Sequence, residues 1–182
     1  MFAYLKNLFQ LILSPSRGWE DISASMHPSR LLLHEGFYPL LTVASLSEFL
    51  RLFYDADTSF VTLLELAIAM GGTYFASYFI AGMVLESYLK NMVDGEINRL
   101  KVDTFVIYGL SLLLVIELIT NVVPTDLTLI KFLPLFVALI LYKGSAYMSV
   151  KSNCELRFLC LSVIAVIVVP IGFFSILKLI FV

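Results

Sequence analysis

Five long apolar blocks, each broken off by charged or helix-ending residues, dominate the chain. They run over about 37–54, 59–85, 104–123, 132–150 and 158–177, close to the roughly 20 residues that a membrane-crossing helix needs. The first carries Pro39 near its start and is closed by Asp55 and Asp57. The third stops at Pro124, and the fourth has Pro134 in its first turn, where a missing N–H breaks no helix bond. The fifth, Phe158 to Leu177, holds no charge. The second is long enough to tilt. Its middle, AMGGTYFASYFIAG, carries the small residues Gly71, Gly72, Ala76, Ser77, Ala81 and Gly82, which let helix backbones approach closely and predict the packing helix of a bundle. One long interval fits no block: ESYLKNMVDGEINRLKVD, Glu86 to Asp103, with three basic and four acidic residues.

Ahead of the blocks the period changes. In MFAYLKNLFQLIL, apolar Phe2, Leu5, Phe9 and Ile12 recur at three and four, with Lys6, Asn7 and Gln10 opposite. This pattern predicts a helix lying along a membrane surface. A secretory signal would need a basic leader and an unbroken apolar run, and Lys6, Asn7 and Gln10 break it. Ser14-Pro15 starts a second helix, Glu20 and Asp21 suit its dipole, and Trp19, Ile22 and Met26 form its apolar stripe. Trp19, the only tryptophan, either anchors at headgroup level or packs under the bundle. His27-Pro28 ends this helix. The expected architecture is all-α: a polytopic membrane protein with a cytoplasmic amphipathic segment over 1–36 and five transmembrane helices over 37–182.

Composition agrees with the membrane class. Sixty per cent of the residues are hydrophobic, 14% are charged, and the mean hydropathy is +0.94, outside the range of soluble domains. A net charge of −2 without a Lys/Arg-rich run gives no basis for nucleic-acid binding. Cys154 and Cys160 match neither a disulfide framework nor a metal motif and read as ordinary thiols. Lysine and arginine are unevenly shared between the two sets of loops. Lys6, Arg17, Arg30, Lys90, Arg99, Lys101, Lys143, Lys151 and Arg157 fall on one side, and Arg51, Lys131 and Lys178 on the other. By the positive-inside rule the amino terminus is cytoplasmic and the carboxyl terminus external, in the cytoplasmic (inner) membrane of the cell.

Three carboxylates lie inside the apolar blocks. Glu48, Glu65 and Glu117 each sit six residues from an outer block end, about 9 Å deep at about 1.5 Å per residue. Arg51, one turn from Glu48, is their natural partner. The four residues form either a cation or proton site opening outward or a satisfied polar cluster that locks three helices together, and the second reading is preferred. His34-Glu35 offers no metal site, because neighbouring helical residues diverge by about 100° and no second histidine is in register. No GxSxG, HExxH or phosphate-binding glycine loop occurs, and Ser45, Ser77 and Ser111 lack an intramembrane histidine to activate them. The residues point to no catalysis, no metal and no cofactor.

The run SPSRGWEDI, Gly95 in the central interval, Tyr108 in the third block, the stop at Pro124 and LYKG at Leu141 to Gly144 together resemble the short, bacterial-type members of the Yip family, membrane proteins named for interaction with Ypt/Rab GTPases. The resemblance implies a five-span bundle with a cytoplasmic amino terminus and a membrane-organising or partner-binding role without enzymatic activity. The Asp-Leu-Tyr-Gly-Pro run of larger eukaryotic members is absent, and no functional residue carries across. The implied partners are the lipid bilayer and other membrane proteins or a second copy. The alternative is a small transporter or ion-conducting oligomer that uses the outer carboxylates.

Overall fold

Residues 2–25, 27–54, 58–93, 95–123, 130 and 132–181 are described by a computed structural model, and they are helical almost throughout. The chain opens with α1 (Phe2–Leu13) and α2 (Pro15–Ser25). A continuous rod follows: α3 (Ser29–Leu32), a π turn over Leu33–Phe37, α4 (Tyr38–Leu46) and a 3-10 segment over Ser47–Phe53. Then come α5 (Phe60–Leu89), α6 (Arg99–Val122) and α7 (Leu133–Tyr147). A last rod joins a 3-10 turn at Ser152–Cys154, α8 (Glu155–Val163), a π turn at Ile164–Val168 and α9 (Val169–Phe181). Asp55, Asp57, Asp94, Pro124, Lys131 and Met26, used in reading the sequence, lie outside the described residues.

Three of these helices are long and apolar enough to cross a membrane: α5 with 30 residues, α6 with 24, and the rod Ser152–Ile180 with 29. With 15 residues, α7 reaches about 22 Å, less than the roughly 30 Å of a hydrocarbon core. The rod before α5 carries Arg30, Glu35, Glu48 and Arg51 along its length.

Half of the interval Glu86 to Asp103 is helix, so the connection is shorter than its charge pattern suggests. Helix α5 runs on through Glu86 to Leu89, and α6 already begins at Arg99. Charge does not end a helix, because a charged side chain leaves the backbone bonds intact. The break comes from Gly95, at φ +91°, and from Asn98, whose side chain accepts from the Leu100 amide at 3.0 Å as an N-cap. Pro134 lies in the first turn of α7 as expected, whereas Pro39 falls inside the continuous rod, directly after the π turn over Leu33–Phe37.

The centre of the bundle is α6, not α5. Every α6 residue from Thr104 to Leu114 is buried, whereas α5 buries a single stripe that includes Leu63, Leu66, Met70, Tyr74, Ser77, Ala81 and Leu85. Small residues matter only where another element crosses them, and the space beside Gly72 and Gly82 is open. Ser77 and Ala81 of the same stretch are buried, and Gly71 lies against Ser45; the tightest crossings are at Gly109, where a Cβ would stand 2.8 Å from Val166, and Gly144, where one would stand 2.5 Å from the Phe105 ring.

Loops meet pairwise at each end. At one end Val93 pairs with Val150, the Lys151 amide donates to the Met92 carbonyl at 2.9 Å, and Ser29 donates to Asp103 at 2.9 Å. At the other end the Tyr54 hydroxyl donates to the Asn121 carbonyl at 2.7 Å. The first of these ends holds Lys90, Arg99, Lys101, Lys143, Lys151 and Arg157; it is the basic end of the bundle.

Helices α1 and α2 fold back onto the same core. Tyr4, Leu8 and Leu11 face inward, so the buried face of α1 is not the Phe2, Leu5, Phe9, Ile12 stripe; Phe2 (91% exposed) and Phe9 (62%) point outward. The Tyr4 ring stacks on Tyr108 at 5.0 Å and lies against Gly36, where a Cβ would collide with it. Ser111 spends its one proton on the Ile107 carbonyl at 2.7 Å, so the Tyr4 hydroxyl donates to Ser111. Burial pushes the Tyr4 phenol far above the ordinary tyrosine range and keeps that donor protonated. Trp19, 2% exposed, lies between Phe105 and Tyr147 with ring centroids 5.3 and 5.1 Å away, which settles its role as packing rather than headgroup anchoring.

Candidate functional site: a polar cluster at the end opposite the basic loops

Four polar residues gather where the first rod meets the end of α6. The local cause is the 3-10 winding of Ser47–Phe53. Three residues per turn eclipse positions i and i+3, so Glu48 and Arg51 stack on one side. Arg51 Nε stands 3.2 Å from Glu48 Oε2, an ion pair without hydrogen-bond alignment. The Ser47 hydroxyl donates to the Ala44 carbonyl at 2.6 Å, leaving its oxygen free to accept from outside the rod.

Asn121 of α6 is the hub. Its Nδ2 donates to Ser47 Oγ at 3.0 Å and to Glu48 Oε1 at 3.1 Å, while its Oδ1 accepts from an Arg51 terminal nitrogen at 3.1 Å. Its backbone carbonyl takes the Tyr54 hydroxyl. Both donors and the acceptor of this amide are therefore used. Asn121 and Glu48 are each 0% exposed, and a buried charge of this kind is tolerated only with such partners.

Glu117, one turn before Asn121 on α6, extends the cluster inward. Tyr74 of α5 donates to its Oε1 at 3.4 Å, and Glu117 is coupled electrostatically to Glu48, Arg51 and Lys178 of α9. Among the described residues of the cluster the one ion pair is Arg51–Glu48, with Glu117 and Lys178 in its neighbourhood. The opposing charges and the fully used amide suit a lock between helices better than an exchangeable ion site.

Of the four residues singled out by sequence, the fold brings Glu48, Arg51 and Glu117 together and leaves Glu65 apart. Among the described residues Glu65 makes no hydrogen bond or ion pair. Depth along a helix fixes one coordinate; the turn about its axis fixes the other. On α5 the inward stripe passes through Leu63, Leu66 and Met70, whereas half-buried Glu65 adjoins outward Leu64 and Ile68. Asn121, Ser47, Tyr74 and Lys178 were not legible as members. The available signal was spacing: Asn121 is four residues after Glu117, and Ser47 adjoins Glu48.

Among the described residues no three His, Cys, Asp or Glu side chains converge as a metal-binding group, and His34 stands edge-on to the Tyr38 ring at 5.6 Å. No protein family, curated protein or solved structure matches the chain.

Proposed function

We propose that this chain is a non-enzymatic integral membrane protein that crosses the bilayer five times and organises membrane or binds protein partners, the role its Yip-like sequence pattern implies. The supporting observation is the seating of α1. Its Tyr4 face is fixed to Tyr108 and Ser111 of the central helix, and Phe2, Phe9 and Leu13 are left pointing out of the bundle. We read this outward face as lipid-facing, and amphipathic helices in contact with lipid respond to curvature and lipid packing. The excess of lysine and arginine at the basic end makes that end cytoplasmic in this reading, with the carboxyl terminus outside. Reconstitution into vesicles tests it. The protein should narrow or tubulate vesicles seen by electron cryomicroscopy, and Phe2→Glu with Phe9→Glu should abolish the effect while the bundle stays folded. Unchanged vesicle shape, together with a detergent pull-down that recovers only the bare protein, would refute the proposal.

One observation supports a second reading, an ion or proton carrier: Glu117, one turn from the Asn121 hub, is held by a single long hydrogen bond from Tyr74 at 3.4 Å. Flux into proteoliposomes that Glu117→Gln abolishes would establish that reading in place of the first.

A further inference from the structure

At the basic end, α2, α7 and the start of α8 enclose a cleft of about 490 Å³. From α2 come Ser16, Glu20 and Ser23, which share one face at spacings of four and three. From the other wall come Tyr142, Lys143 and Glu155. The charges in it are mixed and left open. Glu20 and Lys143 are both exposed, and among the described residues neither joins an ion pair; Lys143 only lies over the Tyr142 ring at 5.8 Å. Glu155 receives one hydrogen bond, from the Tyr142 hydroxyl at 3.1 Å, which leaves most of its acceptor capacity unused.

Opposite charges that share a cleft without meeting suit a ligand that carries both signs. Two carboxylates and the serine hydroxyls can accept from an ammonium that has N–H groups to donate, and one lysine can pair with a phosphate. A track leads to the cleft. Leu135, Leu139 and Tyr142 follow one another on α7 at spacings of four and three, all on its outward face, so an apolar stripe ends at the polar opening.

We infer that this cleft binds a zwitterion made of a primary ammonium and a phosphate, the phosphoethanolamine group, presented either by a phospholipid whose chains lie along Leu135 and Leu139 or by a soluble molecule. The inference is independent of the proposed membrane-organising role.

Trp19 lines the cleft and is the only tryptophan, so its fluorescence reports on occupancy. Full-length protein in a non-ionic detergent is titrated with short-chain phosphatidylethanolamine, phosphatidylcholine, phosphatidylglycerol and free phosphoethanolamine, and lipid adducts are counted by native mass spectrometry. Phosphatidylethanolamine should bind saturably, with phosphatidylcholine at least tenfold weaker because its quaternary nitrogen has no N–H, and phosphatidylglycerol weaker still because it lacks the ammonium. Binding of phosphoethanolamine as tight as that of the lipid identifies a soluble ligand; binding that needs the chains identifies the lipid. Glu20→Gln and Lys143→Met should each weaken binding about tenfold with the melting temperature unchanged, since both side chains are exposed. Equal binding of the three lipids, no binding of phosphatidylethanolamine by either readout, or variants that bind like the wild type would overturn the inference.

Discussion

Trp19 donates its indole N–H to the carbonyl of Ile140, 121 residues further along the chain, at 2.9 Å. This bond fixes α2 to α7, and it forms because Gly144, one turn after Ile140, leaves room: a Cβ there would stand 3.1 Å from the indole. Replacing Trp19 with alanine should therefore destabilise the protein by about 3–5 kcal/mol, the range for deleting a large buried aromatic. Thermal unfolding in detergent measures it. In the wild type, Trp19 should emit at short wavelength and resist quenching by iodide.

Arg51 and Glu48 should prove strongly non-additive. Arg51→Met leaves Glu48 buried and charged, a change worth about 3–5 kcal/mol for a broken buried pair. Adding Glu48→Gln removes the stranded charge and should recover part of that loss. Additive losses across the cycle would mean that the two side chains act separately.

The hub and the outlier give opposite expectations. Asn121→Leu withdraws donors from Ser47 and Glu48 and should cost about 1–3 kcal/mol. Glu65→Gln, at the edge of the buried stripe of α5, should stay within about 0.5 kcal/mol of the wild type. The same unfolding measurement compares them, and reversed magnitudes would place Glu65 inside the cluster.

The docking of α1 depends on the absence of a side chain at Gly36. Gly36→Leu drives a branched chain into the Tyr4 ring and should free the first helix, seen as faster proteolysis between residues 2 and 14 with the rest of the chain protected. Tyr4→Phe removes only the bond to Ser111 and should cost about 1 kcal/mol.

Apolar runs bounded by charge and proline made the helices legible, because helix formation along a run is a local property. Pairing around the axis was not local. Glu65 matched Glu48 and Glu117 in depth, yet it lies at the edge of the buried stripe, one residue off Leu66, and joins none of the cluster's bonds. Asn121 was hidden for the related reason that nothing in sequence distinguishes a lone amide at a helix end from one whose bonds are all made. The small residues of α5 were a partial guide: Ser77 and Ala81 are buried and Gly71 meets Ser45, while Gly72 and Gly82 face open space and Gly109 and Gly144, isolated in the sequence, mark further close crossings. Tyr4 and Trp19 were beyond pattern reading because their partners, Ser111 and Ile140, lie more than a hundred residues away.

The five-crossing arrangement with the basic end inside is tested most directly by side-specific labelling. Cys154 and Cys160 are first replaced by serine, and single cysteines are then placed at Glu96, Ser152 and Thr58. In intact cells a membrane-impermeant maleimide should label Thr58→Cys alone, and Glu96→Cys and Ser152→Cys should react only after permeabilisation. Labelling that puts Glu96 and Ser152 on opposite sides, or Thr58 on the same side as Glu96, would contradict it.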